Sequence, residues 1–338
     1  MATDRTQRME RLARVYDTEV LPIWTERFAK LLVRDLELPA RCQVLDVGCG
    51  TGSQTIELLD KLDPGSRLIA IESAPPLLDL ARQKVSRADA GRAFFRSHAD
   101  LAELSFADEV YDAVVSNLGL TRVAHRPRAL SSFARVTKPG GELRLSLPLE
   151  GTFQEFFDIY REVLTKHDRH DTLDRLASHI QTAYPDVDTV EAWARSAGLF
   201  DPRVELEEFT MLFRSSREFF FAPVIEYGPL PEWKAVAGRG QEMQDVFWYI
   251  KEAIDAYFGG RAFQVTVVAG CLVATKPEHA EDQPAQQHAE VEDAETSEFD
   301  THEDEEALEN RQDADHFADV QLDAFTEGIA RPDHLDEE

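Results

Sequence analysis

Between residues 43 and 147, short apolar, β-branched runs alternate with segments of helical period, and this alternation constrains the fold more than any other feature of the chain. Residues 43–47, 67–71, 93–96, 113–116 and 142–147 read as strands, and 53–62, 75–87 and 128–136 as helices. Strands separated by helices cannot be joined by hairpins, so they pair in parallel and are covered on both faces. The expected class is α/β, a Rossmann-like doubly wound sheet.

Flanking segments complete one domain over residues 1–276. Residues 4–19 and 22–37 read as two helices, with Pro22 in the first turn of the second, where its missing N–H costs nothing. After residue 147 the pattern is helical from 152 to about 182 and again over 189–197, closed by Gly198. Residues 203–209 and 263–275 read as two more strands. Between them lies an aromatic-rich insertion holding Phe219, Phe220, Phe221, Tyr227, Trp233, Phe247, Trp248 and Tyr249. Residues 150–185 and 212–260 are expected to be helical elements that cap the carboxyl edge of the sheet.

Charge separates this domain from the carboxyl-terminal segment. Residues 277–338 hold 23 Asp and Glu against two Arg, so they carry 21 of the 28 excess negative charges of the chain. Such a segment cannot bury enough apolar surface to offset its ordering entropy and is expected to be a disordered acidic tail. Phe317, Val320, Phe325 and Ile329 within it are spaced loosely as one helical face, which would suit a protein partner rimmed with Lys or Arg. The same charge argues against nucleic acid and anionic membranes as partners.

No apolar run is long enough to span a bilayer and the first ten residues are polar, so a cytoplasmic location is expected. Cys42, Cys49 and Cys271 are too sparse for a disulfide framework. His167 and His170 could share a helix face but have no third ligand nearby, and no metal is expected.

Within the alternating region, VLDVGCGTGSQTIELL (residues 44–59) places Gly48, Gly50 and Gly52 between the first strand and its helix. In an open parallel sheet this turn is where ligands bind, although a tight strand-to-helix connection would also need glycine. Asp46 precedes the glycines, where its carboxylate would repel a pyrophosphate and could hydrogen-bond an ammonium group. That disfavours a nicotinamide dinucleotide. Glu72 ends the second strand, the position from which an acid accepts hydrogen bonds from ribose hydroxyls.

Together with the glycine-rich run and Glu72, HADLAEL (98–104), DAVVSN (112–117) and RVTKPGGEL (135–143) resemble the class I S-adenosylmethionine-dependent methyltransferases. The resemblance covers roughly residues 10–276 and implies a mostly parallel sheet with an antiparallel last strand, with S-adenosyl-L-methionine as cofactor. It implies that Asp46, Gly48, Gly50 and Gly52 face the methionine part of the cofactor, Glu72 the ribose, and Asp100 with Leu101 the adenine. Asn117 would lie beside the transferable methyl. Tyr16 matches a family tyrosine that closes over the cofactor, and also fits an aromatic on the apolar face of the first helix.

SNLGL (116–120), LSLPLEGT (145–152) and FRSSRE (213–218) look like the malonyl-acyl-carrier-protein methyltransferases of biotin synthesis. Those enzymes share a Gln-Trp pair where this chain has Thr121 and Arg122. The acceptor is therefore expected to be a small molecule or a carrier-bound acid, and a carboxylate acceptor would need no base. His125, in the loop after Asn117, is the nearest base for a phenol or amine. Phe219, Phe220, Phe221, Trp233 and Trp248, with Phe156, Phe157 and Tyr160, either line a lid over the acceptor or pack a helical subdomain. A catalytically silent scaffold acting through the acidic tail is the alternative from another class.

Overall fold

The computed structural model describes residues 2–88, 91–98, 100–121 and 123–278. The acidic segment, including Phe317 to Ile329, lies outside the described residues. Strands β1 (Gln43–Val47), β2 (Arg67–Glu72), β3 (Ala93–Ser97), β4 (Tyr111–Asn117) and β5 (Thr137–Pro148) run parallel. With β6 (Phe200–Phe213) and β7 (Phe263–Thr275) they make one sheet in the order β3-β2-β1-β4-β5-β7-β6. Strand β7 is antiparallel to both β5 and β6. The order reverses at β1 and β4, and a ligand crevice forms beyond the carboxyl ends of strands at such a switch.

Two strands are longer than their apolar runs. β5 begins at Thr137, which pairs with Tyr111 of β4, and the residue after β7 holds the intervening glycines: the Gly140 N–H donates to Lys276 O and the Lys276 N–H to Gly141 O. β6 extends to Phe213 because β7 offers it a partner along its whole length.

Helices α3 (Ser53–Lys61), α4 (Pro75–Ala88) and α5 (Arg126–Val136) are the crossovers. Alternate residues of β1 face opposite cores, as a parallel strand requires. Val44 packs with Leu58 of α3 and Ala81 of α4, whereas Leu45 and Val47 pack with Leu130 and Phe133 of α5. Asp46 shares the face of Val44, so its carboxylate points toward α3.

The amino-terminal region differs from expectation. Helix α1 (Ala2–Val15) runs without a break into a ten-residue π-helical segment (Tyr16–Thr25) and then α2 (Glu26–Val33). Pro22 is inside the π segment, not at a helix start. A proline removes one donor and crowds the carbonyl four residues back, and the wider π turn, in which Glu26 N–H reaches Leu21 O, relieves both. Val20 and Leu21 are buried, which holds the segment on the domain.

Helices α6 (Gln154–Lys166) and α7 (His170–Ala183) are separated by Asp168 at φ +53°, so His167, which follows α6, and His170, which opens α7, do not share one helix face. Asp186 caps α8 (Val187–Ser196) by accepting from the Thr189 N–H. The insertion folds as α9 (Ser216–Phe221), α10 (Pro223–Glu226), α11 (Leu230–Ala237) and α12 (Gly240–Phe258). Phe219, Phe220 and Trp233 are almost fully buried, with Trp233 stacked 4.3 Å from Phe156. These rings pack the helical layer, while Trp248 stays half-buried against Tyr249. Among the described residues no helix is long and apolar enough to cross a membrane.

Arg144 of β5 ties α2 to the sheet. Its guanidinium is buried, pairs with Glu142, and donates to the carbonyls of Leu32 (3.2 Å) and Asp35 (2.9 Å) at the end of α2. Helix ends leave carbonyls without intrahelical donors, and the arginine supplies them. Arg144→Met is expected to cost about 3 kcal/mol, read by urea denaturation, because it strands these acceptors and Glu142.

Candidate functional site

The turn after β1 is stitched to β2, since the N–H groups of Gly48 and Cys49 both donate to Ile71 O at 2.9 and 3.0 Å. Its three glycines have positive φ but different neighbours. A Cβ on Gly52 would sit 3.0 Å from the Ala81 backbone in α4. One on Gly48 would sit 3.3 Å from Gly119 Cα and 3.5 Å from Leu101. At Gly50 the nearest atom is the Tyr16 ring, 4.0 Å away. Gly52 therefore admits α4 and Gly48 admits Gly119, while Gly48 and Gly50 both line the crevice and only Gly50 has open space beside it.

Two carboxylates flank the turn. Asp46 is fully buried; its Oδ2 accepts from the Thr55 hydroxyl at 2.6 Å, and Oδ1 has no partner among the described residues. Burial pushes its pKa up to about 7; the Thr55 bond opposes this shift and the Glu72 charge adds to it. Glu72 accepts from the Gly50 N–H (3.0 Å) on one oxygen and from the N–H groups of Ser73 (2.8 Å) and Ala74 (2.9 Å) on the other. The glutamate thus shapes the glycine turn itself. Burial and the charges of Asp46 and Glu72 hold the Cys49 thiol protonated, so it is no nucleophile.

The π segment covers the crevice. Tyr16 and Thr25 share a 2.8 Å hydrogen bond between their hydroxyls. Asp17 accepts from Thr51 (2.5 Å) and pairs with Lys84 of α4 (2.6 Å). Asn117 donates to Thr25 O (3.1 Å) and accepts from Ser146 (2.6 Å), which pins β4 to the cover. Beneath lies a cavity of about 20 Å³, room for roughly one water, walled by Tyr16, Leu21, Thr25, Gly50, Gln54 and Asn117.

Tyr16, Asp46, the glycines, Glu72, Leu101 and Asn117 are thus brought together. Asp100 is exposed at the rim, its carboxylate accepting from the Ala102 N–H. His125 is exposed at the start of α5 and does not line the cavity. Sequence reasoning missed Gln54, Thr55 and the Asp17–Lys84 pair. Thr55 had a legible signal, since it lies on the side of α3 that must face the sheet and Asp46. Among the described residues no cluster of His, Cys, Asp or Glu could hold a metal.

Residues 44–141 match the family model described as a methyltransferase domain. The chain is 30% identical over 125 residues to a demethylmenaquinone methyltransferase of Lactiplantibacillus plantarum, covering 37% of this chain and 53% of that one. It is 28% identical over 169 residues to the enzyme of the same name from Clavibacter sepedonicus, covering 46% and 64%. The chain thus spans less than two thirds of the length of these curated relatives. The YcgJ protein of Bacillus subtilis superposes with a TM-score of 0.51 at 13% identity, over 75% of this chain and all of that one, and shares the fold.

Residues 44–141 thus match a methyltransferase domain, and they lie in a Rossmann-like sheet whose last strand pairs antiparallel. The matched residues run from β1 into β5 and include Asp46, the glycine turn, Glu72 and Asn117.

Proposed function

We propose that the chain transfers the methyl group of S-adenosylmethionine to a small-molecule acceptor. The observation that carries this reading is the unpartnered Asp46 Oδ1 at the foot of the turn where Gly50 faces the cavity. A buried carboxylate oxygen without a donor is costly unless a ligand supplies one, and the ammonium of the cofactor is such a donor. The residues fit the cofactor: Asp46 for the ammonium, Gly50 for close backbone approach, Glu72 for the ribose and Leu101 for the adenine face.

When bound, the cofactor supplies an electrophilic methyl on a sulfonium sulfur. The chain has then to align the acceptor and exclude water, which contributes roughly 7–11 kcal/mol in well-oriented systems. Tyr16 and Leu21 close the crevice from above, and Asn117 fixes the floor to the cover. Leu21 and the Tyr16 ring give the cavity an apolar wall, which favours an apolar acceptor. Both aligned relatives are named for a small-molecule acceptor, demethylmenaquinone, which supports the same class.

Calorimetric titration tests the reading. S-adenosylmethionine and S-adenosylhomocysteine should bind with micromolar affinity, roughly -8 kcal/mol, and NAD should not. Glu72→Gln, which keeps the side chain's shape, should weaken both by tenfold or more. Binding of NAD alone, or of none of the three, would remove the proposal.

A further inference from the structure

Gln54 sits in the first turn of α3, is 4% exposed and lines the cavity, yet neither its Oε1 nor its Nε2 has a hydrogen-bond partner among the described residues. A buried carboxamide with both ends unsatisfied is rare, because each lost hydrogen bond costs about 1–3 kcal/mol. A threonine or leucine would fill the same place in the helix without that cost. The side chain is therefore in the position of a group whose partner arrives with a ligand.

The surroundings identify that ligand's chemistry. The first backbone bond of α3 runs from Ile56 N–H to Gly52 O, so the N–H groups of Ser53, Gln54 and Thr55 precede it and favour an anion at the helix start. Asp46 Oδ1, under the same turn, awaits a donor. A carboxamide offers one donor end and one acceptor end, so a ligand that satisfies both must present an acceptor and a donor close together. A zwitterionic α-amino acid does this with its carboxylate and ammonium.

We propose that Gln54 is a specificity-determining residue that reads the amino-acid end of the bound cofactor, Nε2 donating to the carboxylate and Oε1 accepting from the ammonium. The proposal rests on the cofactor reading above. It distinguishes ligands with an amino-acid end from those that have only adenosine and a thioether. It also gives a use to a polar residue from which the ligand-free domain gains nothing.

The test compares the full-length protein with Gln54→Leu, and with Gln54→Met as a second variant, using two probes. S-adenosylhomocysteine carries the amino-acid end; 5′-methylthioadenosine lacks it. Expected results are a tenfold or larger rise in Kd for the first probe, an unchanged Kd for the second, and a ligand-free melting temperature equal to or above that of the parent. Equal losses for both probes, a lowered melting temperature in both variants, or an unchanged Kd for S-adenosylhomocysteine would overturn the role of Gln54 while leaving the cofactor reading intact. If the parent protein bound neither probe, the cofactor reading would fall and the role of Gln54 with it.

Discussion

Asp46→Asn is expected to lower affinity for S-adenosylmethionine by roughly ten- to a hundredfold and to raise the melting temperature of the ligand-free protein at pH 8. The two effects have one origin. In the folded chain burial lifts the Asp46 pKa from 3.8 to about 7, so folding must either hold a proton there or bury a charge. The linkage has a definite sign. Below pH 3.8 both states are protonated and the aspartate costs nothing. Between pH 4 and 7 the unfolded chain releases the proton first, so stability falls as pH rises, and above pH 7 the loss levels off at something on the order of 4 kcal/mol.

Asparagine does not ionise, so the variant should lose this slope and gain several degrees at pH 8, with a smaller gain at pH 5. The cofactor's ammonium favours the ionised aspartate, so parent affinity should rise as pH rises through 7, and the variant's should not. One charge-assisted hydrogen bond of roughly 1.5–3 kcal/mol sets the size of the affinity loss. Calorimetry and thermal melts at pH 5 and pH 8 measure both. A variant less stable than its parent at pH 8, or one that binds the cofactor as tightly, would show that the carboxylate is structural rather than reserved for a ligand.

The five parallel strands and the acids at their ends were legible because their signals are local. A β-branched run such as residues 67–71 and a carboxylate at its end need no knowledge of the rest of the molecule. The features that were not legible depend on packing between distant segments. Pro22 reads as a helix start, and only the burial of Val20 and Leu21 shows why the chain continues through it as a π turn. Periodicity alone could not separate core from lid for Phe219 and Trp233, since both roles place aromatics on one helix face. His125 is eight residues from Asn117 in sequence, but the start of α5 turns it to the surface. Gln54 looked like an ordinary polar residue early in a helix until its two ends were found without partners.

Gly52→Val is expected to be the most destabilising single change in the turn, and Gly50→Ala one of the mildest for stability, although both residues belong to the same motif. Both have positive φ, +83° and +55°, so either substitution carries about 1–2 kcal/mol of left-handed strain. The difference lies in what the new atoms meet. At Gly52 a Cβ would come within 3.0 Å of Ala81 Cα and Cβ and 3.3 Å of Val85, atoms of α4 that cannot move without shifting the helix against β2. Overpacking of this kind adds about 1–3 kcal/mol, and a β-branched side chain lies at the upper end, so a total near 4 kcal/mol is expected. At Gly50 the nearest atom is 4.0 Å away and the added methyl enters the cavity, so the stability loss should stay near the strain alone. Its cost should appear as lost cofactor affinity, because the methyl occupies the space that the ligand's approach to the backbone requires. Urea denaturation with cofactor titration on both variants separates the two roles. Equal destabilisation by the pair, or a Gly50→Ala protein that binds the cofactor normally, would mean that all three glycines serve only the turn.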